Sequence, residues 1–247
     1  MKTFGEIKKI FYSCSPDSKI VCQLKQQYNH KKRACHYSGF RSEVDSFMLE
    51  AAPGVMETIL TDTGELAINT GMNLLNLGGG IGQLTSMLEH IGFDVTNTDI
   101  AIEKQDSKNI KVDFNGTDSL PLPEKNFDVA LCQEVIEHVE NPWRLLRLAR
   151  KYIKDGGLLY LTTPNIHSGR SKKCFVKTNY FKWFEEKNLS YHINPLPFWE
   201  IKMIAENCGF SLVSLKGSGD YFFLRNNEDE NKVLRNNDVL IFKFLAV

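Results

Sequence analysis

The segment MNLLNLGGGIGQLTSMLEHIG, residues 72–92, constrains the chain more than any other. A short apolar run ends in Gly78-Gly79-Gly80-Ile81-Gly82. Leu84, Met87, Leu88 and Ile91 then recur at helical spacing. This is the pattern of a buried parallel strand, a tight loop and a helix packed back on the sheet. Glycines let the backbone turn sharply and approach a ligand where a Cβ would clash. The following helix start carries N–H groups with no intrahelical partner, suited to a ligand's polar end.

The same grammar continues downstream. Asp94–Asp99, Ile110–Phe114, Phe127–Cys132 and Gly157–Thr163 read as further strands. Between the last two, Asn141 caps a helix that has Pro142 in its first turn. Leu145, Leu146, Leu148, Ala149, Tyr152 and Ile153 form its buried face, and Asp155-Gly156-Gly157 stops it. A helix at Pro197–Cys208, stopped by Gly209, precedes strands at Phe210–Lys216 and Asp238–Ala246. With no helix between them, these two strands pair most simply as a hairpin at the sheet edge, and NNEDENKVLRNN reads as a polar, mobile loop. The expected architecture is α/β: a seven-stranded, mostly parallel sheet with helices on both faces and an antiparallel last strand.

Residues 1–70 read as a helical extension. Phe4, Ile7, Ile10 and Phe11 share a face, as do Ile20, Val21, Leu24 and Tyr28, and a third helix starts at Ser42. The expected domains are this extension or lid at 1–70 and an α/β domain at 71–247, with an insertion around 167–195. Thirty basic residues balance thirty acidic ones, so no global field holds the chain on nucleic acid or an anionic membrane. No apolar run approaches the roughly 20 residues of a membrane-spanning helix. The N-terminus lacks the apolar core of a secretion signal, and the six cysteines form no CxxC pair. Reduced thiols in the cytoplasm are the expectation.

About 20 residues beyond the glycines, Thr98-Asp99 ends the second strand, where a carboxylate can accept hydrogen bonds from an adenosine ribose. Glycine loop and carboxylate together point to an adenosyl ligand. The spacing Gly78-x-Gly80-x-Gly82 is tighter than GxGxxG, and there is no Walker lysine.

Five ordered segments carry a resemblance: LNLGGGIG, TDI, VDF, LPLPEKNFDVALCQEVIEHVENPWRLLRLARKYIKDGG and LLYLTTPN. Together they resemble the class I S-adenosylmethionine-dependent methyltransferases, with their Rossmann-like fold, and most of all the small-molecule branch that includes the ubiquinone and menaquinone biosynthesis enzymes. The resemblance implies S-adenosylmethionine as the methyl donor. It places Gly78, Gly80 and Gly82 along the amino-acid end of the donor and Asp99 on the ribose. Ile100 falls on adenine, Asp113 and Phe114 at its edge, and Gln133 beside the methionine moiety. Asn76 stands where the family usually carries an acidic residue.

A sulfonium methyl is already activated, so the enzyme's task is mainly alignment of the acceptor. His138 and His192 are the candidate catalytic residues, since an imidazole can take a proton near neutral pH. Each has an alternative role as a packing or loop-holding histidine, and His167 is a third candidate. Lys172, Lys173, Lys177 and Lys182 interleave with Phe175, Tyr180, Phe181, Trp183 and Phe184. That mixture suits an anionic or sugar-linked small acceptor, single-stranded nucleic acid, or merely a solvated amphipathic helix. Cys14, Cys22, His30, Cys35 and His36 lack the paired spacing of structural zinc sites, and no metal is expected. The leading expectation is methyl transfer to a small molecule. An RNA or protein methyltransferase and a non-catalytic adenosyl-binding protein are the alternatives.

Overall fold

The computed structural model describes residues 35–37, 40–42, 71–80, 82, 85, 88–89, 92–219, 223–225 and 229–247. Two short strands, β1 (Cys35–Tyr37) and β2 (Phe40–Ser42), form an antiparallel ladder of their own. The helices expected at 4–11, at 20–28 and after Ser42 lie outside the described residues.

The main sheet contains β3 (Asn73–Leu77), β4 (Asp94–Asp99), β5 (Asn109–Lys111), β6 (Phe127–Gln133), β7 (Ile153–Pro164), β8 (Phe210–Gly219), β9 (Phe223–Arg225) and β10 (Val239–Ala246). Their order is β5-β4-β3-β6-β7-β10-β8-β9. The first five run parallel. β10 runs antiparallel to both β7 and β8. The seven strands read from the sequence are all present, and the eighth, β9, is a three-residue edge strand. Among the described residues no helix is long and apolar enough to cross a membrane.

Alternation explains the sheet's burial. Leu75, Leu77, Ala130, Cys132, Leu159, Leu161, Phe242 and Phe244 point to one face and join a single core with α1 (Pro142–Tyr152) and α3 (Phe198–Asn207). Leu74, Val129, Leu131, Tyr160 and Ile241 are buried from the opposite face. Both faces are therefore covered, as a parallel sheet requires. In α1, Asn141 Oδ1 accepts from the Arg144 N–H, the cap its sequence specifies.

Three details differ from the sequence reading. β7 begins at Ile153, directly after α1, so Asp155-Gly156-Gly157 lies within the strand rather than before it. Ile153 is fully buried opposite Phe127, and the register shifts before Val129, which absorbs the glycines as an irregularity. β5 is shorter than expected because Asp113 turns the chain: its Oδ1 accepts from Asn115 N–H and its carbonyl from Gly116 N–H. The last two long strands, β8 and β10, pair antiparallel as read, but neither of them lies at the sheet edge, which β9 occupies. β10 is inserted between β7 and β8, and α4 (Glu230–Asn236), capped by Asp229, occupies part of the stretch read as a loop.

Candidate active site

The glycine loop leaves β3 beside the end of β4, and the two are laced together. Gly78 N–H (2.7 Å) and Gly79 N–H (3.2 Å) both donate to Thr98 O, while Gly80 N–H donates to Asp99 Oδ2 at 2.9 Å. Gly78, Gly80 and Gly82 have φ of 74°, 57° and 88°, conformations that side chains disfavour. Gly79 needs glycine for another reason: a Cβ there would lie 2.0 Å from Asn97 Oδ1 and 2.2 Å from Asn76 Nδ2. The amides of residues 78–80 are thus engaged with β4. The loop offers a ligand its glycine surfaces instead.

Asp99 is buried at the cleft. Its Oδ1 accepts from Ala101 N–H (2.7 Å) and its Oδ2 from Gly80 N–H. Each carboxylate oxygen has a further acceptor site, which two ribose hydroxyls can fill. Ile100 follows it with 59% of its surface exposed, an uncovered apolar face suited to an adenine ring. These residues fit an adenosyl group. Asn76 is buried beneath the loop, donating from Nδ2 to Thr85 Oγ1 at 3.2 Å. It ties the end of β3 to Thr85, beyond the loop. Gln133 is buried at the end of β6, Asp113 is exposed, and Phe114 packs half-buried against the core.

The turn after β6 touches this loop. A Cβ on Gly78 would lie 2.3 Å from Val135 Cγ2. Glu134 opens the turn with φ of 51°, a conformation rarely adopted by residues with a side chain. Within it stand Glu137 and His138. His192 reaches them from the segment before α3, and the two imidazole centroids are 4.7 Å apart. Ile193 and Asn194 both donate their N–H groups to Glu137 O at 3.0 Å, and Asn194 Nδ2 donates to Val139 O, which fastens the two segments together.

Both imidazoles are oriented from behind. His138 Nδ1 bonds Tyr191 O at 2.8 Å and His192 Nδ1 bonds Trp183 O at 2.7 Å. A carbonyl only accepts, so each Nδ1 carries the proton and each Nε2 of the neutral ring carries a lone pair. Burial lowers the pKa of both rings, and the neighbouring His138 helps push His192 down to about 4. Trp183, with φ of 73°, aims its carbonyl at His192 and also accepts from the buried Asn188 Nδ2. Glu137 is fully buried (0% exposed). Its Oε2 accepts from Thr163 Oγ1 at 3.1 Å, while Glu134 Oε1 accepts from Thr162 Oγ1 at 2.7 Å. Burial raises both carboxyls, Glu134 to about 7, and Glu134's charge adds to the shift of Glu137.

The structure thus gathers His138 and His192, which lie far apart in the chain, and sets His167 to another task. His167 Nε2 accepts from Phe198 N–H (3.0 Å), completing the start of α3. Sequence reasoning passed over Glu134 and Glu137. Two carboxylates inside the apolar run EVIEHV were the available signal, because a charge in such surroundings needs a partner. In the inserted segment, α2 (Gly169–Thr178) carries the exposed Lys172, Lys173 and Lys177. Its aromatics are largely occupied: Phe175 stacks on Phe181 at 4.7 Å and Phe184 is buried. Lys182 lies over Trp183 and pairs with Asp238.

Comparison with known proteins agrees with this geometry. The family described as "Methyltransferase domain" matches residues 48–215. A ubiquinone biosynthesis O-methyltransferase of Rickettsia bellii (strain OSU 85-389) is 29% identical over 186 residues, covering 70% of this chain and 74% of that protein. The protein of the same name from Cereibacter sphaeroides (strain ATCC 17025 / ATH 2.4.3) is 32% identical over 115 residues, covering 43% of this chain and 45% of that one. Among solved structures, an S-adenosylmethionine-dependent methyltransferase from Archaeoglobus fulgidus superposes with a TM-score of 0.55 at 17% identity, covering 77% of this chain and 92% of its own. One from Mesorhizobium loti gives 0.51 at 14% identity, covering 78% and 100%. The chain belongs to the methyltransferase-domain family and is a class I S-adenosylmethionine-dependent methyltransferase.

Proposed function

We propose that the chain methylates a hydroxyl of a small-molecule acceptor, held between the glycine loop and the His138–His192 pair. The observation that carries this reading is the contact of Gly78 with Val135, which sets the two histidines beside the cleft of the donor. S-adenosylmethionine supplies an activated methyl group and leaves as S-adenosylhomocysteine. The protein's share is alignment: Asp99 holds the ribose, Ile100 covers the adenine, and Gly78, Gly80 and Gly82 allow close approach of the methionine end. Gln133 sits at the end of β6 beside that end. Asp113 and Phe114 edge the adenine, and Asn76 supports the loop from below. The acceptor hydroxyl donates its O–H to an Nε2 lone pair of His138 or His192, which takes the proton as the O–CH3 bond forms and the S–CH3 bond breaks.

Two considerations favour a small hydroxyl acceptor over a nucleic acid. The relatives that match over most of their length are named O-methyltransferases of ubiquinone biosynthesis. Of the aromatic side chains of the inserted segment, Phe184 is buried and Phe175 and Phe181 stack on each other, which leaves few faces for bases, Phe175 (42% exposed) and Tyr191 (48% exposed) being the open ones. The exposed Lys172, Lys173 and Lys177 suit an acceptor that carries negative charge.

The test is transfer of labelled methyl from S-adenosylmethionine to a panel of phenols, catechols and hydroxylated carboxylates, with RNA as a competing substrate. Label on a small hydroxyl compound is the expected result. Label on RNA alone, with a rate that falls steeply with salt, overturns the reading.

A further inference from the structure

Asn188 ends a short helical turn, Glu186–Asn188, in the segment that carries His192. It is only 6% exposed, and each of its polar groups is engaged. Its N–H donates to Glu185 O at 2.7 Å, and its carbonyl accepts from Tyr191 N–H (3.0 Å) and His192 N–H (2.8 Å). The side chain reaches in two further directions. Nδ2 donates to Trp183 O at 2.9 Å, and Oδ1 accepts from the Tyr191 hydroxyl at 3.2 Å. The amide cannot sit the other way round, because Trp183 O only accepts and needs a donor facing it.

The two carbonyls that orient the histidines belong to the residues Asn188 holds. Trp183 O receives both His192 Nδ1–H and Asn188 Nδ2–H, and the two donors together fix its direction. Tyr191 O receives His138 Nδ1–H, and Tyr191 is tied to Asn188 at its N–H and at its hydroxyl. The hub is moored to the body of the fold through Lys182, next to Trp183. Lys182 N–H donates to the buried Ser171 Oγ (3.2 Å), and its Nζ pairs with the buried Asp238 at 3.0 Å. Trp183 itself has φ of 73°, which a bulky residue keeps only where its surroundings hold it.

We propose that Asn188 is the positioning residue of both imidazoles: it holds the carbonyls of Trp183 and Tyr191 where each takes an Nδ1 proton, and so keeps the Nε2 lone pairs of His192 and His138 free. It acts through those two carbonyls and not on the reacting atoms. The proton of a neutral imidazole follows the hydrogen bond offered to the ring, so a ring released from its carbonyl carries the proton on either nitrogen. With the proton on Nε2, that nitrogen donates and has no lone pair for an incoming proton. One buried amide thereby sets the state of two histidines that lie far apart in the chain. The value of this for methyl transfer rests on the function proposed above; the control of the tautomers does not.

The experiment uses the full chain, isotopically labelled at the histidine nitrogens, in the presence of S-adenosylhomocysteine. Long-range proton–nitrogen correlation spectra read the tautomer of each ring, and His138→Gln, His167→Gln and His192→Gln assign the signals. In the wild type, His138 and His192 should both carry the proton on Nδ1. Asn188→Ala removes the amide and its volume, and Asn188→Leu removes the amide alone. In both variants the two rings should move to a mixture of tautomers, His192 further than His138, because Tyr191 keeps its backbone tie. His167 Nε2 accepts from Phe198 N–H, outside the hub, so this ring should hold its Nδ1–H form and report an intact fold. With an acceptor from the panel above, kcat should fall by about 10²-fold while KM for S-adenosylmethionine stays unchanged. Wild-type rings protonated on Nε2 overturn the proposal, as does a His192 tautomer that survives both substitutions. A change at His167 equal to that at His192 overturns it too, since the effect is then a general loosening. Tautomers that shift as expected in a chain that labels no small hydroxyl compound leave Asn188 in this role and remove the function proposed above.

Discussion

Gly78→Ala tests whether the glycine loop and the turn after β6 form one rigid unit. The new methyl would sit 2.3 Å from Val135 Cγ2 and 3.3 Å from Cγ1, and Val135 is buried with a β-branched side chain that has little freedom to rotate away. Overpacking of this kind costs about 1–3 kcal/mol. The backbone adds about 1–2 kcal/mol, because φ of 74° is unfavourable for alanine. The variant should lose roughly 2–5 kcal/mol, equivalent to a fall in Tm of about 5–15 °C for a chain of this size. Val135→Ala alone removes buried methyl groups and costs about 1–3 kcal/mol. In the double variant the clash is gone and only the backbone strain and the smaller side chain remain. Urea unfolding followed by circular dichroism should therefore show the pair costing less than the separate losses by about 1–3 kcal/mol. Additive losses, within about 0.5 kcal/mol, would mean that the two segments do not touch as described.

Asp99→Ala should weaken S-adenosylhomocysteine by about 2–4 kcal/mol in calorimetry, the loss of two charge-assisted hydrogen bonds; unchanged affinity would remove Asp99 from the site. Tyr152→Phe should cost about 1–3 kcal/mol in urea unfolding, because its buried hydroxyl both donates to Leu120 O (2.8 Å) and accepts from Leu120 N–H (2.6 Å). His167→Ala should cost about 1 kcal/mol of stability through the unsatisfied start of α3 and leave kcat unchanged. A large fall in kcat would return it to the chemistry. Burial, aided by the Lys172 charge, lowers the pKa of His167, so its stabilising effect is complete above the unfolded value of about 6.5 and fades as pH falls through the folded one. The gap in unfolding free energy between wild type and His167→Gln should accordingly narrow on acidification, and a gap that widens would reverse the assignment.

The strand Asn73–Leu77, the glycines that follow it and the strand at Asp94–Asp99 were legible because period, glycines and carboxylate all agreed. The N-cap of α1 was equally plain, since Asn141 and Pro142 are each selected for that position. The start of β7 was not. Glycines after a helix usually end it, and only the long-range pairing of Ile153 with Phe127 shows that the chain is already in the sheet. α4 escaped because Val233 is its one buried residue, too little for a helical period to show. At the site, His138 and His192 could be named individually. Their meeting depends on Glu137 O accepting from Ile193 and Asn194, a tertiary contact that spacing does not encode. The tautomers, set by the carbonyls of Tyr191 and Trp183, are tertiary in the same way and were equally out of reach.

The position of β10 separates the order in which the chain is made from the order in which the sheet can close. Until residues 239–246 emerge, β7 and β8 each present an open edge, and neither can complete its hydrogen bonds with the other. The half of the sheet that supports Thr162 and Thr163, and through them the carboxylates of the site, waits on the strand synthesised last of the ten. A ribosome-bound chain stopped at residue 238 should accordingly hold a formed glycine loop beside two sticky, unpaired β edges, and light scattering of the released fragment would reveal the association they invite.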